Sequence, residues 1–127
     1  MPRKKRKRKG KIISNGVKRI ASYLKQQDVE FQTEFRFKDC RDKLPLPFDY
    51  IILKDNNIIG LIEYQGIQHY RSVRRFKGKK GLANQQLHDQ IKFNYCMKNN
   101  LRLLVISYEQ EDKIEEILEE FLKFVQD

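Results

Sequence analysis

The chain has 127 residues, 27 of them Lys or Arg against 17 Asp or Glu, for a formal net charge of +10 at neutral pH. That length suits one domain with one core, and 39% hydrophobic with 35% charged residues implies a compact fold under a crowded polar surface. The longest apolar run, Ile58 to Ile62, is far short of the roughly 20 residues a bilayer-spanning helix needs, and the basic start lacks the apolar stretch of a secretory signal. With two cysteines in dissimilar contexts, a reduced intracellular protein is expected, Cys40 and Cys96 serving as small buried hydrophobes.

Residues 1–11 carry eight basic side chains (Arg3, Lys4, Lys5, Arg6, Lys7, Arg8, Lys9 and Lys11) and no acidic one, leaving 19 basic against 17 acidic residues elsewhere. This run reads as a disordered, self-repelling tail, and residues 12–127 as a single domain. The tail should attract polyanions by counterion release without reading sequence. It also looks like a nuclear-import signal, so the cytoplasm and the nucleus are both open destinations.

Ser14 or Asn15 stands as an N-cap before Val17, Ile20, Ala21 and Leu24, whose spacing predicts a helix over roughly 15–27. Val29, Phe31, Thr33, Phe35 and Phe37 alternate with polar residues, the pattern of a half-buried strand. Cys40 to Pro47 reads as a loop punctuated by Pro45 and Pro47. Phe48–Leu53 and Ile58–Tyr64 are β-rich runs around Lys54-Asp55-Asn56-Asn57, a hairpin signal. Phe48, Tyr50 and Ile52 are expected on one face, Ile51 and Leu53 on the other; apolar on both faces, the strand should lie between helical layers. After Gly66, residues 71–81 read as a basic loop, followed by a helix over 83–98 and a strand over 101–107. A last helix over 111–125 should bury Ile114, Ile117, Leu118, Phe121 and Val125. The order α-β-β-β-α-β-α predicts an α/β fold, a central mixed four-stranded sheet flanked by helices.

A three-residue hairpin loop, Asp55-Asn56-Asn57, would set Asp49 directly opposite Glu63, their Cβ atoms about 4.5–5.5 Å apart; a two-residue loop would shift the pairing by one. Two carboxylates so close in apolar strands repel and lose solvation. A divalent cation is the natural compensation, since Mg²⁺ binds through one or two carboxylates, waters and substrate phosphate. The alternative is a solvated pair at the sheet edge, one acid paired to a lysine.

Leu46-Pro47-Phe48-Asp49-Tyr50 and Leu61-Ile62-Glu63-Tyr64-Gln65-Gly66-Ile67-Gln68-His69-Tyr70, with Asp89-Gln90-Ile91-Lys92-Phe93-Asn94-Tyr95-Cys96 and Asn99-Asn100-Leu101-Arg102-Leu103-Leu104-Val105-Ile106, resemble the PD-(D/E)xK nuclease superfamily. The most similar branch is that of phage homing endonucleases (EDxHD type) and very-short-patch-repair-like nicking enzymes. The resemblance covers roughly residues 14–108 and implies a restriction-endonuclease-like core. The two acids alone are a weak signal; the Glu-Tyr-x-Gly-x-Gln-His-Tyr string with the downstream Asp and Lys is more specific.

By this resemblance Asp49 and Glu63 would hold Mg²⁺ or Mn²⁺, with the backbone carbonyl of Tyr64 as a third candidate ligand. His69 would activate water or stabilise the leaving group, and Asp89 would face the same cleft. Three departures stand out. Gln65 occupies the superfamily's lysine position, so His69 or Lys92 would have to compensate. No Glu stands near Val17 in the first helix, leaving Glu30 or Glu34 as substitutes. Phe48 splits the Pro-Asp pair. The implied activity is metal-dependent hydrolysis of DNA phosphodiesters, by nicking or double-strand cleavage.

Arg71, Arg74, Arg75, Lys77, Lys79 and Lys80 follow the histidine, where they would hold phosphates beside the scissile bond, aided by Arg3 to Arg8 of the tail. Sequence specificity would come from a homodimer or a separate DNA-reading partner. The rival expectations are an inactive nuclease-fold module that binds DNA or RNA, and an RNA-associated assembly protein using only its tail. His88 is expected to face solvent, the acidic last helix to lie away from DNA, and no zinc site to arise from His69, His88, Cys40 and Cys96, which lack zinc-site spacing.

Overall fold

The structure, a computed structural model, describes residues 15–74 and 77–126; the basic tail, Ser14 and Arg75 lie outside the described residues. Helix α1 (Asn15–Gln26) is followed by strands β1 (Glu30–Arg41), β2 (Pro45–Lys54) and β3 (Asn57–Gln65), helix α2 (Gly78–Lys98), strand β4 (Leu103–Ser107) and helix α3 (Ile114–Gln126). The strands form one mixed sheet in the order β1-β2-β3-β4. The first three are antiparallel, and β4 runs parallel to β3 after the α2 crossover. Among the described residues no helix is long and apolar enough to cross a membrane.

The sheet separates two cores, as the doubly apolar strands require. On one face Ile20 and Leu24 of α1 and Ile114, Leu118 and Leu122 of α3 pack on Tyr50, Ile52, Ile62, Tyr64 and Ile106. On the other, Cys96 of α2 packs with Cys40, Phe48, Ile51 and Leu61. Both cysteines are free and buried, as expected of small hydrophobes. The acidic α3 therefore lies across the sheet from α2. A bidentate contact from Arg19 to Glu115, at 3.1 and 2.6 Å, ties α3 to α1.

Several boundaries differ from the sequence expectation. Strand β1 runs on to Arg41 and β2 begins at Pro45, so the expected loop shrinks to three residues. The prolines are tolerated because β2 pairs with β3 only from Tyr50 onward and β1 is irregular between Arg36 and Arg41. Helix α2 begins at Gly78, so Lys79 and Lys80 belong to its first turn and not to the loop. Two glycines and two lysines run against both helix propensity and the helix dipole, which hid this start. The last helix starts at Ile114, after a 3₁₀ segment over Tyr108–Lys113. Phe48 packs with Ile51 and Leu61, not with Tyr50 and Ile52, so the alternation of β2 breaks at Asp49.

Gly16 sets how closely α1 approaches the sheet, because a Cβ there would run into the ring of Tyr64. That ring is buried and its hydroxyl donates to Glu111 at 3.3 Å, which limits its freedom to yield. Gly16→Ala should therefore cost about 1–3 kcal/mol, the usual range for overpacking. Urea denaturation would check this, and an unchanged midpoint would refute the close approach.

Candidate functional site

The hairpin between β2 and β3 brings the two expected acids together, though not through the expected turn. Its loop has two residues, Asp55 and Asn56, both left-handed with φ of 53° and 65°, the type I′ geometry that Asp and Asn tolerate. Alone, this turn would set Asp49 against Ile62. Pairing, however, passes from Leu53↔Ile58 to Ile52↔Gly60, leaving Ile59 as an extra residue. This β-bulge restores the register of Tyr50↔Ile62, where the backbone pairing ends, and brings Asp49 and Glu63 within side-chain hydrogen-bonding reach of each other's strand.

At that point side chains replace the backbone ladder. The Asp49 N–H donates to Glu63 Oε1 at 2.9 Å, and the Tyr64 N–H donates to Asp49 Oδ2 at 2.8 Å. Each acid thus caps the opposite strand. Lys92, from the second turn before the end of α2, donates from Nζ to Glu63 Oε2 at 3.0 Å. Both partners are buried, Glu63 at 4% and Lys92 at 7% exposure. Burial first, and then the charge of Asp49, push the Glu63 carboxyl up to about 7, against the downward pull of Lys92.

A second pair lies alongside. The short 3₁₀ turn Ile67–His69 after β3 places His69 Nδ1 2.8 Å from Asp89 Oδ2 on α2. His69 is buried, and Gln85 donates to the other Asp89 oxygen at 3.4 Å. Gln65 accepts from the Tyr70 hydroxyl at 2.5 Å and makes no ion pair. Between α2 and the β3–β4 face opens a cleft of ≈ 220 Å³. Glu63, Gln65, Asp89 and Lys92 line it, together with Gln86, Gln90, Phe93, Leu103 and Val105. Asp49 and His69 join it through their hydrogen bonds to Glu63 and Asp89.

Other expectations fare differently. Val17 lies on the opposite side of the sheet in the α1–α3 core, where its carbonyl accepts from the Tyr50 hydroxyl at 2.6 Å. Glu30 and Glu34 sit exposed on β1, and neither joins the cleft lining, so neither stands in for the missing glutamate there. His88 does not simply face solvent; its Nε2 meets Asp42 Oδ2 at 3.0 Å and its side chain is 25% exposed. Among the described residues no group of three or more His, Cys, Asp or Glu gathers as a metal cluster. Arg71, Arg74, Lys77, Lys79 and Lys80 are all exposed, beside the start of α2. Gln86, Gln90 and Phe93 were missed in sequence, although their spacing around Asp89 puts all four on one side of a helix.

No family model matches the chain, and no solved structure matches it. A stretch of 52 residues, 40% of the chain, is 38% identical to uncharacterized protein 307L of Invertebrate iridescent virus 6 and spans 26% of that protein.

The Glu63–Lys92 pair sets a pH dependence with a definite sign. Because the folded state raises the Glu63 carboxyl from 4.5 to about 7, its contribution to stability is full below the unfolded value and is lost as pH rises through about 7. In metal-free buffer the melting temperature should fall between about pH 5 and pH 7, and Glu63→Gln should flatten that slope. Lys92→Met should cost about 3–5 kcal/mol at pH 8 by stranding a buried charge, and less at pH 6. Adding Glu63→Gln to it should recover most of the loss; a double variant no better than Lys92→Met would overturn the pairing.

Proposed function

We propose that this chain is a metal-dependent endonuclease that hydrolyses DNA phosphodiester bonds. The observation that supports it best is the reciprocal capping of Asp49 and Glu63, two acids sharing one site with a single lysine. Two carboxylates against one ammonium leave a net negative charge in a buried place, where an isolated charge is costly. This oxygen donor set fits Mg²⁺ or Mn²⁺ completed by water and phosphate, and not zinc, which takes nitrogen and sulfur donors as well.

Asp49 and Glu63 would hold the cation, which when bound supplies Lewis-acid polarisation of a phosphoryl oxygen. The chain's own residues do the rest. With Asp89 accepting from His69 Nδ1–H, the tautomer is fixed and Nε2 is the ring atom left to carry a proton to or from the reacting group. Lys92 supplies from the helix the positive charge that Gln65 lacks on the strand. Arg71, Arg74, Lys77, Lys79 and Lys80 offer phosphate contacts on the same side of the sheet as the cleft, with Arg75 and the tail residues Arg3, Lys4, Lys5, Arg6, Lys7 and Arg8 as further candidates by charge alone. The resemblance to PD-(D/E)xK nucleases points the same way.

A second reading, a nuclease-fold module that binds DNA or RNA without cutting it, draws on the same lysine, because Lys92 already offsets part of the acid charge. Supercoiled plasmid incubated with Mg²⁺ or Mn²⁺ separates the two. Cleavage is expected from the unaltered chain and should be abolished in Asp49→Ala. His69→Ala should reduce it roughly 10²–10⁴-fold, the usual weight of general acid–base catalysis. Plasmid left intact with both metals, or cut equally well by Asp49→Ala, would remove the enzyme reading and leave the binding module.

In either reading Lys79→Ala and Lys80→Ala should weaken binding for all sequences alike, each lowering the slope of log affinity against log salt by about 1. Fluorescence anisotropy across a salt series measures this. Unchanged slopes would place the phosphate contacts elsewhere.

A further inference from the structure

One half of the cleft takes no part in the chemistry proposed above. Apart from Glu63, Gln65, Asp89 and Lys92 the cleft's lining is apolar and amide: Phe93 on α2, Leu103 and Val105 on β4, with Gln86 and Gln90 on either side of Asp89. Phe93 is 51% exposed and Val105 39%, although both stand beside a well-packed sheet. An aromatic ring half in solvent, next to an apolar strand face and two side-chain amides, is a surface of defined chemistry. It offers a π-face for stacking and, with Gln86 Nε2 donating to the His69 carbonyl at 3.4 Å and Gln90 Nε2 to Asn94 Oδ1 at 2.8 Å, two side-chain amide oxygens as acceptors for a flat heteroaromatic edge.

The charge around it argues for one occupant. Between Tyr70 and Asp89 the chain has no acidic residue, and Arg71, Arg74, Lys77, Lys79 and Lys80 are exposed there. Lys79, Gln86 and Phe93 recur at intervals of seven along α2, so they share one side of the helix. A polyanion entering at the basic start of α2 would be led along the helix toward Phe93. The cleft, at ≈ 220 Å³, falls below the roughly 300–1,000 Å³ of pockets for drug-sized ligands. That is the scale of a single base and not of a duplex.

We infer that Phe93, with Gln86 and Gln90, forms a subsite for one unpaired nucleobase, so that the chain prefers a single strand or a nucleotide turned out of a duplex. The base stacks on Phe93 against Leu103 and Val105, the amide oxygens meet its edge, and the strand runs on from there toward the basic start of α2, about 20 Å along the helix. Stacking of this kind carries affinity with little sequence preference. The inference rests on the nucleic-acid reading above but not on catalysis.

The test uses the full chain and a short single-stranded DNA carrying 2-aminopurine, whose fluorescence is quenched by stacking, alongside the same sequence as a blunt duplex. The unaltered chain should bind the single strand more tightly than the duplex and quench the label. Phe93→Ala should weaken single-strand binding roughly 5- to 100-fold and abolish the quench, leaving duplex binding unchanged. Phe93→Tyr should restore both, which a merely structural role for the ring would not predict from a half-exposed position. Equal loss on single strand and duplex, or an intact quench in Phe93→Ala, would overturn the subsite. Absence of binding to either DNA would take the nucleic-acid reading down with it, whereas binding and quenching without plasmid cleavage would refute only the enzyme.

Discussion

The arrangement turns on one buried carboxylate. Glu63 sits in the third strand with one oxygen receiving the Asp49 N–H and the other receiving Lys92. Strand pairing, helix placement and site charge all meet at that side chain. Where antiparallel strands would exchange backbone hydrogen bonds, the two acids substitute their oxygens for carbonyls. The consequence is a sheet that stays satisfied while its strands carry charge: no buried side-chain nitrogen or oxygen among the described residues lacks a partner. Buried polar groups that are fully satisfied impose a single geometry, which a site requiring two carboxylates at fixed separation needs.

That geometry depends on a detail the sequence hides. The pairing of Asp49 with Glu63 was legible as an alternative tied to loop length, and the loop is the shorter one. The register survives because Ile59 bulges out of β3. Ile58, Ile59, Leu61 and Ile62 are all apolar, so no change in residue type marks the extra position; Gly60, which sits against Phe121 and Val125, is the nearest local sign. The element order and the two-sided core were legible because hydrophobic period carries them; the nearness of Asp89 to His69 was legible only through the family resemblance. The start of α2 and the continuation of β1 and β2 past the prolines were not, since there tertiary pairing overrides local propensity.

The layering also sorts charge. Helix α3, with Glu115, Glu116, Glu119 and Glu120, covers one face of the sheet, and α2, opening on Gly78, Lys79 and Lys80, covers the other. A chain with a large net positive charge thus keeps its main acidic helix on the side away from the cleft. The contact between Arg19 and Glu115 serves the same separation by neutralising a cation of α1 against α3. Among the described residues Arg71, Arg74, Lys77, Lys79 and Lys80 therefore give the approach to the cleft its positive charge, with little opposition from the far side at ordinary ionic strength.

The position of Lys92 carries the argument from structure toward purpose. A buried ion pair seldom repays its desolvation, and apolar residues of similar volume generally serve stability as well or better. Phe48, whose ring lies 5.5 Å from Lys92 Nζ, and Ile51 show that this core accommodates such residues readily. The chain nonetheless keeps two acids, a lysine, and a histidine–aspartate pair around one small cleft, and it holds the Glu63 carboxyl near the middle of the physiological pH range. Packing alone gives no reason for that concentration of titratable groups. Supplying the lysine from α2 instead of from position 65 has its own consequence: the charge approaches Glu63 from the helix layer, while Gln65, bonded to Tyr70, adds no charge of its own on the strand side. The cationic start of α2 and the apolar stretch formed by Phe93, Leu103 and Val105 are the two features on which the proposed base subsite draws.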